Sequence, residues 1–131
     1  MGLVSARFMM PAQLARCCAG QDVSPGVVGY TVHTIDDRRI GQVEDVLIDD
    51  EAMVIAFLVV EPSTAEFIVN QPRLLLPASL CCWDEEGKRV RSRATVDQVQ
   101  SAPPYDAVTD ISEAYERTVF TNFGERPYWP T

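Results

Sequence analysis

The stretch Gly29–Pro62, GYTVHTIDDRRIGQVEDVLIDDEAMVIAFLVVEP, admits few folds. Tyr30 to Thr34 is aromatic and β-branched, the residue types that suit a pleated, half-buried surface. Asp36-Asp37-Arg38-Arg39 interrupts the apolar pattern, and Ile40 to Ile48 resumes it, with Val43, Val46 and Ile48 set around Glu44 and Asp45. The alternation is imperfect at Gly41 and at Glu44-Asp45, and glycine inside a strand pattern marks a β-bulge. After a second acidic turn, Asp49-Asp50-Glu51-Ala52, the run Met53 to Val60 is apolar without a break. Its length and the closing Pro62 fit a strand buried on both faces better than a helix. Three consecutive strands joined by tight turns give a core assembled from local contacts.

Further strands are expected at Glu66 to Asn70 and Arg73 to Leu76, with Pro77 at the end of an edge strand, and at Leu80 to Trp83 after a kink at Pro77-Ala78-Ser79. Asp84-Glu85-Glu86-Gly87 reads as a hairpin turn in which Gly87 supplies a positive φ, and Lys88 to Ala94 as the last strand. About six short strands are enough to close a small barrel in a chain of this size. Thr95 with Gln98 matches a capping box, and Pro103-Pro104 keeps the helix it opens short. Asp110-Ile111-Ser112-Glu113 opens a longer helix that Gly124 closes, with Ile111, Tyr115, Val119 and Phe123 as an apolar stripe. Residues 1–24 have no strand alternation and end in the turn-rich Gln21 to Gly26; they read as a partly ordered extension, a short strand or helix laid on the barrel or on a second subunit being the alternative. The expected division is an extension over 1–24, a barrel domain over 25–106, and a helix with an aromatic tail over 107–131.

The segment IGQVEDVLIDDEAMVIAFLVVE resembles the PRC-barrel family, in which an Ile-Gly pair, a Val-Glu-Asp-Val strand, an acidic turn and a Leu-Val-Val strand recur in that order. Thr95 to Asp106, TVDQVQSAPPYD, is similar to the short helix and Ala-Pro-Pro-Tyr-Asp-like motif of a bacterial branch of that family. Tyr115-Glu116, Phe123-Gly124 and Pro127-Tyr128-Trp129 resemble the aromatic tail of the same branch. The chain departs from the pattern in three places: its first turn has no glycine, Met53 stands where a tryptophan is usual, and Asn70-Gln71-Pro72-Arg73 replaces a Gly-Arg turn. The resemblance implies a mainly β fold, a small, strongly bent PRC-type β-barrel with a C-terminal helical appendage. It also implies a binding and scaffolding role, as in the cytoplasmic domain of the photosynthetic reaction-centre H subunit and the C-terminal domain of a bacterial ribosome-maturation factor.

The formal net charge of -8 disfavours non-specific nucleic-acid binding, whose affinity comes from neutralising phosphates with Lys and Arg. No apolar run approaches the ~20 residues that span a bilayer, and Arg7, Gln13 and Arg16 break up any signal-peptide core, so the cytoplasm is the expected compartment. His33, the only histidine, lies in a strand with no nucleophile placed by motif and reads as a strand residue, not a general base. Asp49, Asp50 and Glu51 lack the spacing of a cation loop and read as a solvated turn. Cys17-Cys18 and Cys81-Cys82 are adjacent pairs; neighbours on a strand point to opposite faces, which suits free thiols better than a zinc site. No catalytic residue, cofactor or metal is therefore expected. Arg89, Arg91 and Arg93 alternate with Val90 and Ser92, which aligns them on one strand face; they read as an exposed face balanced by Glu44, Asp45 or Asp84-Glu85-Glu86 on neighbouring strands, a docking strip for an acidic partner or structured RNA being the alternative. Tyr115, Val119, Phe123, Tyr128 and Trp129 are too many large apolar groups to leave uncovered. They point to a homodimer with the tail at its interface. The expected function is a non-catalytic adaptor or scaffold that binds a protein partner; the alternative is an RNA-processing or ribosome-assembly accessory.

Overall fold

A computed structural model describes residues 3–5, 28–49, 54–84, 86–105 and 113–125. The turn residues Asp50, Glu51 and Ala52, both Cys17 and Cys18, the second capping signal and the Pro127-Tyr128-Trp129 segment lie outside the described residues. The strands are β1 (Leu3–Ser5), β2 (Thr31–His33), β3 (Arg39–Asp49), β4 (Val54–Glu61), β5 (Leu74–Pro77), β6 (Cys81–Asp84) and β7 (Arg89–Ser92). Two helices follow, α1 (Val96–Gln100) and α2 (Glu113–Asn122).

All the strands join one mixed sheet in the order β5-β4-β3-β2-β7-β6, and β1 pairs with the far end of β3. Within this sheet β2 and β7 run parallel, and the other pairs run antiparallel. The expected barrel is corrected here: the sheet is not closed. Closure needs a ladder between β5 and β6, but Pro77 and a 3-10 turn over Ala78–Leu80 separate them. The outer edge of β5 is also taken at its start. Leu74 forms a bridge with Pro104, and the Tyr105 N–H donates to the Arg73 carbonyl at 3.1 Å. Backbone groups engaged there by a following segment cannot also pair with a strand.

Two bulges fall where the alternation falters, and a third, with Ala56 as the extra residue opposite Leu47 and Ile48, falls inside the unbroken apolar run of β4. Val32 pairs with Gly41 and His33 with Arg39, leaving Ile40 as the extra residue; Val43 pairs with Val60 and Asp45 with Val59, leaving Glu44. Gly41 is required at the first of these for space, because a Cβ there would lie 2.0 Å from the Glu61 carbonyl oxygen and 2.8 Å from the Pro62 Cα. The first turn works without glycine because Asp37 itself takes φ 64, a conformation that short polar side chains tolerate. Thr34 secures it: its hydroxyl donates to the Asp36 carboxylate and accepts from the Arg38 N–H at 3.1 Å. That donation holds the Asp36 carboxyl below its ordinary range.

In the second hairpin the positive φ falls on Lys88, at 51, and not on Gly87 as the sequence suggests. The Asp84 carboxylate shapes this turn by accepting from the Glu86 and Gly87 N–H groups at 3.1 and 3.2 Å. The expected strand over Glu66 to Asn70 is also corrected, since that segment is irregular. Single contacts hold it instead of a ladder: the Glu66 N–H donates to the Arg39 carbonyl at 2.9 Å, Gln100 Nε2 to the Ile68 carbonyl at 3.0 Å, and the Gln71 side chain reaches the Ala102 carbonyl at 2.5 Å. Both helix signals that lie within the described residues hold. Thr95 and Gln98 form a complete capping box, and Gly124, at φ 69, ends α2 with the Glu125 N–H on the Phe120 carbonyl and the Gly124 N–H on that of Thr121.

Gly41→Ala forces β3 away from the end of β4. It is expected to destabilise the fold by about 1–3 kcal/mol, read from the midpoint of chemical denaturation.

Candidate docking surface

The two halves of the sheet are buried differently. From Ile55 to Val60 every residue of β4 is buried, as are all four residues of β5, Leu74–Pro77. In β2, β7 and the start of β3 burial alternates: Val32, Val90 and Ser92 point inward, while Arg39, Gln42 and Arg91 are exposed. One half of the sheet is thus covered on both faces, and the other presents a face to solvent.

The cover over the first half includes α2. Val119 is fully buried, Phe120 is 2% exposed and Phe123 3%, and the Phe120 ring packs on Phe57 with centroids 5.1 Å apart. Tyr115 is half-buried and donates its hydroxyl to the Pro104 carbonyl at 2.7 Å, tying α2 to the segment that caps the edge of β5. Burial, with Tyr105 close by, pushes the Tyr115 phenol up to about 12, so it stays a neutral donor. Of the apolar residues that suggest a dimer, Val119 and Phe123 are therefore covered by their own chain, and Tyr128 and Trp129 lie outside the described residues. Phe120, the ring that meets Phe57, falls off the strict four-residue spacing and is missed by it; a 3.6-residue period through Val119 and Phe123 includes it.

The arginines separate into two groups. Arg93 lies one residue past β7, and its guanidinium is spent on the Ser79 carbonyl at 3.2 Å and the Glu125 carboxylate at 3.1 Å. Arg73 pairs with Glu44 at 2.5 Å and Arg38 with Asp36 at 3.4 Å. Arg39, Arg89 and Arg91 form no ion pair among the described residues. The strand registers bring them together. Cys82 pairs with Arg91, Arg91 with His33, and His33 with Arg39, so these side chains form one row across β6, β7, β2 and β3 on the outer face. The neighbouring row is Asp84, Arg89, Thr31, Gln42 and Glu61. Arg39 and His33 are absent from the arginine alternation along the last strand because they join it only through cross-strand register.

Among the described residues the face has no nucleophile set beside a base. His33 Nδ1 is 3.4 Å from the Asp37 carboxylate without making a hydrogen bond to it. Ser92 is committed to the backbone, donating to the His33 carbonyl at 2.8 Å and accepting from the Ala94 N–H at 3.3 Å. Cys82 lies two strands from His33, about 10 Å away at ordinary strand spacing, which is too far for a thiolate pair. Cys81 and Cys82 are free thiols; Cys81 turns inward onto the Pro77 carbonyl, and burial pushes its thiol far up, while Cys82 is exposed. The side chains of the Asp49-Asp50-Glu51 cluster lie outside the described residues.

The model of the PRC-barrel domain family matches residues 26–102. The match spans β2 to α1 and ends at Ala102, before the rest of the Pro-Pro-Tyr-Asp segment and the aromatic tail. No curated protein sequence matches the chain.

Phe120→Ala opens a void against Phe57 and is expected to cost about 3–5 kcal/mol, measured by the denaturation midpoint. A loss under about 0.5 kcal/mol, within the range of ordinary surface substitutions, would show that α2 does not stabilise the sheet through this contact.

Proposed function

The chain belongs to the PRC-barrel domain family, and on that premise we propose that it is an adaptor or scaffold that docks a protein partner on its open sheet face. Domains of this family are generally non-catalytic protein-interaction modules. The observation that carries the reading here is the unequal burial of the sheet. One half is sealed by β-strands and α2, and the other exposes polar and cationic side chains with no covering element among the described residues. We place the chain with the bacterial branch that has an Ala-Pro-Pro-Tyr-Asp-like motif and an aromatic tail, on the strength of Ala102 to Asp106 and Pro127-Tyr128-Trp129. The cytoplasm is the compartment we propose, and free Cys81 and Cys82 suit its reducing conditions. No helix among the described residues is long and apolar enough to cross a membrane.

We also propose that the chain forms a homodimer. With Val119 and Phe123 covered by their own sheet, Tyr128 and Trp129 are the residues left to carry that interface. Light scattering on the full chain and on one ending at Glu125 tests this: the full chain should give twice the mass of a protomer, and the shortened one should fall to a single protomer. Identical masses would remove the tail from the interface.

Affinity capture from native extract, with and without nuclease, tests the main reading. A protein retained through nuclease treatment is the expected result. A partner released by nuclease favours the RNA-processing or ribosome-assembly alternative.

A further inference from the structure

We propose that Arg39 and Arg91, with Arg89 beside them, capture an acidic segment of the partner protein, an assignment that rests on the interaction-module reading above. The row is built by register: β2 carries His33 between Arg91 on β7 and Arg39 on β3. With strands about 4.8 Å apart, the backbones of Arg39 and Arg91 are about 10 Å apart across β2. An extended peptide advances about 3.3 Å per residue, so carboxylates two or three positions apart reach both guanidinium groups. Each guanidinium is a planar fork that takes a carboxylate through two parallel N–H bonds.

The charges around the row make this the place where such a segment settles. The chain carries a net charge of -8, and the Arg38, Arg73 and Arg93 guanidiniums are each matched to a carboxylate. Arg39 and Arg91 are exposed and matched to none among the described residues. Of the acidic neighbours, the Asp84 carboxylate holds its own turn through the Glu86 and Gly87 N–H groups, Asp37 faces the His33 ring from the β2–β3 turn, and the exposed Glu61 and Glu66 lie at the β3 end of the row, away from Arg91. An unneutralised cationic row on an otherwise anionic surface attracts negative groups to one spot and repels them elsewhere, which fixes register as well as affinity. That balance favours a peptide with a few carboxylates over RNA, whose continuous phosphate chain would run off the short row onto acidic surface on both sides. Arg93, which the alternation along the strand includes, is excluded by its contacts to Ser79 and Glu125.

Fluorescence anisotropy with a labelled hexaglutamate peptide at low ionic strength tests the proposal on the full chain, with a single-stranded RNA oligonucleotide as the second probe. The native chain should bind the peptide, and binding should weaken with added salt. Arg39→Ala and Arg91→Ala should each weaken it several-fold and together about tenfold, while Arg93→Ala, which removes the same single charge from a matched guanidinium, should change it less than about twofold. Unchanged melting temperatures establish that the exposed substitutions leave the fold intact. Absence of peptide binding by the native chain, an equal loss in Arg93→Ala, or RNA bound so that the peptide does not compete would overturn the assignment. If the double variant still captures the same nuclease-resistant partner from extract, the row is wrong and the interaction-module reading stands. If the native chain binds the peptide through Arg39 and Arg91 yet captures no protein, the module reading fails instead.

Discussion

The contact on which most of the fold depends is the burial of β4 on both faces. Ile55 to Val60 offers no polar side chain to turn toward water, so the strand is stable only when sheet neighbours take its backbone and other groups cover its two sides. β3 and β5 supply the ladders, and α2 brings Phe120 onto Phe57. Gly41 belongs to the same arrangement. The close approach of β3 to the Glu61–Pro62 corner requires a residue with no side chain, and the bulge beside it bends β3 so that one strand serves β4 along one edge and both β1 and β2 along the other.

Covering β4 in this way also explains why the sheet stays open. The groups that could have closed it are used on the covered side: the free edge of β5 takes Pro104 and Tyr105, and Tyr115 reaches over to the Pro104 carbonyl. The Gln71 and Gln100 amides then fasten the 66–73 segment to the end of α1. The helical appendage therefore completes the sheet at the edge where a strand pairing would otherwise be needed. The edge that results is made of irregular backbone, which does not template pairing with another chain as a free strand would.

How legible this was from sequence depends on the range of the interaction. Features set by neighbours in the chain could be read: the uninterrupted β4, the bulges at Gly41 and Glu44, the capping box at Thr95 and the closing Gly124. Features set by distant partners could not. The alternating Glu66 to Asn70 looks like a strand because its side chains do alternate, yet its carbonyl at Ile68 finds a glutamine side chain and not a ladder. Gly87 is the natural candidate for a positive φ, but Lys88 takes that conformation, while Gly87 is held close to the Asp84 carboxylate, with 2.8 Å between the position of an added Cβ and Oδ2. The candidate site shows the same limit. Alternation within one strand found Arg91 but grouped it with Arg93, whose partner Glu125 lies beyond the second helix, and it had no means of finding Arg39, which only the β2–β3 and β2–β7 registers bring near.

The unequal burial of the sheet also divides labour between stability and binding. Substitutions in the half that holds Phe57 and Phe120 act through packing, where the loss of a ring is felt by the whole fold. The exposed half is different, because Arg39 and Arg91 make no ion pair with described residues and their removal leaves no carboxylate stranded among them. Unmatched charges that contribute little to folding persist at no structural gain, and on a chain of net charge -8 their mutual repulsion across β2 is a small cost. An external anion relieves that repulsion when it binds, whereas an anion placed on matched Arg73 or Arg93 must first displace Glu44 or Glu125. The same accounting that makes Arg93 a brace between the end of β7 and the end of α2 makes Arg39 and Arg91 the groups with charge left to offer a partner.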